Sequence, residues 1–229
     1  MCINTLDDYV WRSLPQWGGF ETNPNLRKKV DEQGNLLPFG GNTVVFLLDP
    51  DTCRALSKLQ AELYEKAGWM LAQPLTEDTF HMTLHDLENG PPEDTDLPRR
   101  MGLARGKAAP MVESFREEAP IRMRATWMFN MVSTSIVLGL RPVDGEGWER
   151  LSRMYGELEQ VRRLGYALTP HITLAYYRPG TWDASAAEAL RSALRPVELE
   201  VTLDPARLVL QNFSDMNHYF EEDPSASAS

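Results

Sequence analysis

Cysteine is nearly missing from this chain: its 229 residues include two, Cys2 and Cys53. They lie far apart, in no Cys-x-x-Cys pairing and beside no histidine cluster, which speaks against a disulfide framework and against a zinc site. Long apolar runs are missing too. Nothing approaches the roughly 20 residues that a membrane-spanning helix needs. The first residues, Met1 to Asp8, lack a basic segment followed by an apolar core, so no secretory signal is expected. Positive charge is in short supply, with 23 Lys and Arg against 33 Asp and Glu and a net charge of −10. That balance disfavours a long nucleic-acid duplex or a membrane surface as partner, while leaving room for a small anion in a locally basic cleft. The expectation is a cytoplasmic monomer that needs no cofactor and no metal. A chain of this length with 42% apolar residues can bury a full core, as one large domain or two small lobes.

Histidine is also scarce, with four in the chain, yet two of them stand in matching contexts. Phe80-His81-Met82-Thr83-Leu84 and Pro170-His171-Ile172-Thr173-Leu174 each present His-x-Thr followed by leucine. In an extended strand the side chains alternate, so His81 and Thr83 share one face while Met82 and Leu84 share the other. His171 and Thr173 are arranged in the same way opposite Ile172 and Leu174. Each stretch is a half-site that offers an imidazole and a hydroxyl on its open face. Upstream of each lies the same plan. The apolar run Thr43–Leu48 precedes a helix-like stretch from Cys53 to Lys66, and Ser135–Leu140 precedes another from Glu146 to Arg163. From the start of the first strand to the histidine is 38 residues in one copy (43 to 81) and 36 in the other (135 to 171). The order strand, helix, His-x-Thr strand therefore recurs as a duplicated supersecondary unit.

Two His-x-Thr-Leu elements about ninety residues apart, each closing a strand–helix–strand unit, resemble the 2H phosphoesterase superfamily. The Gly41-Asn42-Thr43-Val44-Val45 stretch, the first motif strand and Asp215-Met216-Asn217-His218 resemble more closely a bacterial and fungal branch of it. The resemblance covers roughly residues 40 to 215. It implies an α+β, bilobal fold in which two pseudo-duplicated antiparallel sheets form a central cleft with helices packed outside. Residues 1–39 would be an N-terminal extension with a hairpin, residues 40–215 the two-lobed domain, and residues 216–229 a tail with a disordered end. It also implies a hydrolase that cleaves a nucleotide 2′,3′-cyclic phosphate or a 2′-5′ phosphodiester. His81 and His171 would be acid and base, Thr83 and Thr173 would bind the phosphate, and the substrate would be a small nucleotide or a short RNA end. Two alternatives stay open: a nucleotide-binding module on the same fold that does not turn its ligand over, and a histidine-coordinated metal hydrolase.

Alternation carried past the motifs places His85 on the face of His81, and Tyr177 on the face of His171, as candidates to line the cleft. His218 reads as structural. Trp11, Trp17 and Phe20 read as packing on the core, one of them a candidate to stack on a base. Arg122 and Arg124 share one face of an alternating stretch, Ile121–Met131, either solvated or near a phosphate. Asp49 and Asp183 or Ser185 are placed to cap helices, Val30–Leu37 reads as a hairpin about Gly34, and Gly106 with Pro110 predicts a break in the helix from about Arg99 to Glu118.

Overall fold

The computed structural model describes Leu14 and residues 18–221, so Cys2, Trp11, Trp17 and the 222–229 tail lie outside the described residues. In chain order the elements are β1 (Phe20–Glu21), β2 (Gly40–Leu47), α1 (Pro50–Ala67), β3 (His81–Gly90), α2 (Leu97–Phe115), β4 (Ile121–Met131) and β5 (Ser135–Pro142). Then come α3 (Gly145–Leu158), β6 (His171–Tyr176), β7 (Thr181–Trp182), α4 (Ala184–Ala193), β8 (Glu200–Leu203), β9 (Leu208–Asp215) and β10 (His218–Phe220). The fold is α+β. Three helices start where an aspartate accepts from the first free amides: Asp49 from Asp51 and Thr52, Asp144 from Gly147, and Asp183 from Ala186.

Eight strands form one antiparallel sheet in the order β10-β9-β2-β3-β6-β5-β4-β8, and β1 pairs separately with β7. The two sheets expected from the sequence are thus two four-stranded halves of a single sheet, meeting where β3 pairs with β6 at Met82↔Ile172. The halves also exchange strands. β4 follows the first unit in sequence but pairs in the second half, and β9 follows the second unit but returns to pair with β2. Each half therefore holds the other, which joins the lobes more firmly than one bridging pair could.

Met82, Leu84, Ile172 and Leu174 are fully buried in the main core with Leu56, Leu63, Leu151, Met154 and Leu158 of α1 and α3. This burial of one strand face turns the alternate residues, the two His-x-Thr pairs, toward the open face. α2 runs unbroken through Pro110. Ala104, Ala108, Val112 and Phe115 keep its apolar side packed, while Gly106, whose carbonyl loses the Pro110 donor, is exposed and can turn to water. The Val30–Leu37 hairpin reduces to one bridge, Val30↔Leu36, turning at Gly34 with φ +92°.

Candidate active site

The register at the centre of the sheet brings the two motifs together. Because Met82 faces Ile172, antiparallel pairing sets His81 across from Thr173 and Thr83 across from His171. The two histidines are then diagonal neighbours, about 7–8 Å apart at their backbone positions. All four side chains line one cavity of about 530 Å³.

Both imidazoles are held by the same device. His81 Nδ1 lies 2.7 Å from the carbonyl oxygen of Thr79, and His171 Nδ1 lies 2.6 Å from that of Thr169. A carbonyl only accepts, so each Nδ1 carries the proton and donates it, and each Nε2 is left with its lone pair. The repeated unit is therefore longer than His-x-Thr: Thr-x-His-x-Thr-Leu in both copies. The matching Thr79 and Thr169 are visible in the sequence, but their part comes from the main chain, where side-chain identity gives no signal.

Burial pushes the His81 imidazole down to about 4; the Thr79 carbonyl and the charge of Asp86 oppose this, and nearby His171 adds to it. His171 is lowered for the same first reason, opposed by Thr169 and Asp86. In the free protein both shifts favour the neutral ring.

The two candidates placed by alternation sit elsewhere. In β3, Thr83 pairs with Val45 but His85 pairs with Val44, so Leu84 is an extra residue. In β6, Thr173 pairs with Val137 but Ala175 pairs with Ile136, so Leu174 is extra there. These are β-bulges at equivalent places in the two halves, and each shifts the alternation by one residue. The open face passes to Asp86 in one copy and to Tyr176 in the other, and both line the cavity. Tyr177 turns into the core instead. It is 0% exposed, packs edge-on against Phe20 at 5.4 Å, and its hydroxyl has no partner among the described residues. His85 borders the cavity, but its ring is 1% exposed and bonded through Nε2 to Glu159 at 3.2 Å.

Sequence reasoning missed several wall residues. Lys29 brings the cavity a cation, its Nζ 5.7 Å from the Tyr176 ring centre and 5.2 Å from that of Phe39. Tyr219 stands edge-on to His81 at 4.9 Å, and Tyr176 donates to Met216 Sδ at 3.2 Å. The 216–219 segment thus closes one side of the site, with exposed His218 anchored on Asp215 at 2.7 Å. The β4–β5 turn closes another, with Val132 at φ +45° and Ser133 at φ +57°, a left-handed pair that a β-branched residue adopts only at a cost. Among the described residues no three His, Cys, Asp or Glu side chains converge to hold a metal ion. No helix among them is long and apolar enough to cross a membrane.

Compared with solved structures, the chain is similar to the conserved protein ATU0111 of Agrobacterium tumefaciens, described as of unknown function. The TM-score is 0.61 at 18% identity, over 89% of this chain and 93% of that one. The two share a fold. Weaker likenesses are to TT0787 of Thermus thermophilus (TM-score 0.43, 22% identity, 71% and 84% covered) and to E. coli LigT complexed with 3′-AMP (0.45, 15%, 62% and 75%). No family model matches the chain, and no curated protein matches it in sequence.

Proposed function

We propose that this protein is a 2H-type phosphoesterase that opens a nucleotide 2′,3′-cyclic phosphate or cleaves a 2′-5′ phosphodiester. It would use its two histidines as acid and base, with no metal in the scheme. One observation carries the reading. Two imidazoles from duplicated halves, each fixed through Nδ1 to the carbonyl two residues upstream, line one cavity with a threonine across from each.

In the reaction, one neutral Nε2 removes a proton from water as the water oxygen bonds to phosphorus. The bond from phosphorus to the leaving ribose oxygen breaks, and the other imidazole, protonated, delivers its proton to that oxygen. One imidazole ends charged and the other neutral, and proton exchange with solvent resets the pair. Thr83 and Thr173 donate to the non-bridging oxygens, where negative charge grows in the transition state. Burial disfavours the acid form of both rings in the free protein. A bound phosphate, negative and close to both rings, supplies the charge that favours protonating one of them.

The test is turnover of a panel of 2′,3′-cyclic mononucleotides and 2′-5′ dinucleotides. His81→Ala and His171→Ala should each lower kcat by at least about a hundredfold, and Thr83→Val or Thr173→Val by at least about tenfold. Full activity in His81→Ala refutes the assignment. Tight binding of every panel member without product would make the protein a nucleotide-binding module instead.

A further inference from the structure

The face of the sheet that carries His171 does not end at the cavity. Gly139 pairs with His171, and Arg141, two residues further along β5, lies on the same face, about 7 Å along the strand. Arg124 of β4 pairs directly with Arg141 and so shares that face, one strand further out. Between the histidine and the arginines the surface is low, because Gly139 has no side chain and Thr126 bonds down onto the Gly139 carbonyl at 3.2 Å.

Two like charges set opposite each other across an antiparallel pair repel and weaken the sheet. Both arginines are exposed. Neither guanidinium makes an ion pair or hydrogen bond among the described residues, although acids outnumber bases in the chain. The acids nearest in register do not neutralise them. Glu200 pairs with Arg124 on the β8 side without forming a salt bridge. Asp144 is engaged with the Gly147 amide at 2.8 Å and lies 3.8 Å from Arg122. The pair lines a groove of about 430 Å³ with Thr126, Trp148 and Asp144, whose carboxylate is held by the Gly147 amide. Two guanidinium forks lining one groove suit a phosphate, which each can bind through two donors, and a bound anion would relieve their repulsion. Trp148 adds an aromatic surface for a base.

We propose that Arg124 and Arg141 form a second phosphate subsite, and that the substrate is a short oligonucleotide rather than a mononucleotide. Its terminal phosphate lies between His81 and His171, and a phosphate further along on the 5′ side lies across the arginine pair. This rests on the phosphoesterase reading of the cavity and adds the substrate's length to it.

The experiment is fluorescence anisotropy with a labelled tetraribonucleotide ending in a 3′-phosphate, with a 3′-mononucleotide as competitor, on wild type, Arg124→Gln, Arg141→Gln and the double variant. Turnover of the matching cyclic phosphates is measured alongside. The ratio of tetranucleotide to mononucleotide affinity should fall at least about tenfold in the double variant. The slope of log affinity against log salt should become shallower by about 0.7 for the lost phosphate contact. An unchanged ratio, an equal loss on both ligands, or no tetranucleotide binding by wild type overturns the subsite. Cyclic mononucleotide turnover with an unchanged ratio would leave the phosphoesterase reading standing alone. A reduced ratio without turnover of any substrate would leave the subsite and remove the enzyme.

Discussion

The depressed imidazole of His81 is open to a direct thermodynamic test. In the folded chain it sits at about 4, mainly because it is buried, against 6.5 when free. Between those values the unfolded chain holds a proton that the folded chain does not, so stability must rise with pH across that interval. Above pH 6.5 both states are neutral and the ring costs nothing. Below 6.5 stability falls, and the loss levels off once pH drops through about 4. A separation of that size is worth at most about 3 kcal/mol, less where water reaches the ring. His85 and His171 are lowered in the same direction, so the wild-type curve contains their contributions too. The His81→Gln variant isolates the one of interest. Urea unfolding of both proteins from pH 4 to 7.5 should show wild type losing up to about 3 kcal/mol more than the variant as pH falls, with the curves parallel above 6.5. An NMR titration of the His81 ring should find no protonation down to pH 5. A His81 midpoint at or above 6.5 in the free protein would refute the burial argument, and with it the claim that ligand must bring the acid form into being.

Inorganic phosphate or a 3′-nucleotide bound at pH 6 should draw a proton from solution, seen as a dependence of the calorimetric heat on the ionisation enthalpy of the buffer. Binding heats identical across buffers would show that the imidazoles do not respond to the anion. Tyr177→Phe removes a buried hydroxyl with no partner among the described residues, and should leave the protein as stable as wild type or more stable by about 1 kcal/mol; a marked loss of stability in thermal unfolding would mean that the hydroxyl is satisfied. At Gly41 a side-chain carbon would collide with the Glu88 carbonyl oxygen and stand 2.9 Å from Asn89 Cβ. Gly41→Ala should therefore destabilise by about 3 kcal/mol through displacement of β2 between β3 and β9, and a wild-type denaturation midpoint would contradict the packing.

The sequence announced those features that depend on neighbours along the chain. The helix caps at Asp49 and Asp183 are local hydrogen bonds, and the two motif strands declare themselves by alternation. The bulges did not show, because Leu84-His85 and Leu174-Ala175 read as ordinary continuations of their strands, and only pairing with Val44 and Ile136 reveals the extra residue. That single slip explains why alternation puts Tyr177 and His85 on the open face and why Asp86 and Tyr176 hold it. The exchange of β4 and β9 between halves was equally hidden, since it is decided by partners far off in sequence. Pro110 misled in the other direction: its lost hydrogen bond falls on the exposed side of α2, where water substitutes and the buried stripe holds the helix together.

The bulges also account for how a duplicated fold can make a site with a direction. Up to the leucine of each motif the halves are equivalent: carbonyl, imidazole, hydroxyl, bulge. The next open-face position carries Asp86 in one half and Tyr176, with Lys29 beside its ring, in the other. A phosphate entering a symmetric pair of half-sites could lie either way round. Here the Asp86 side would repel its negative oxygens, while the Lys29 and Tyr176 side would attract them and offer a ring face. On the proposed reading, the substrate's anionic part would thereby be turned toward β6 and its neutral, hydrogen-bonding part toward β3. Once the orientation is fixed, so is the division of labour, because the leaving oxygen can face only one imidazole. On the proposed phosphoesterase reading, the symmetric portion of the duplication would supply the proton chemistry, and the first residue past the bulge would decide which histidine gives the proton and which receives it.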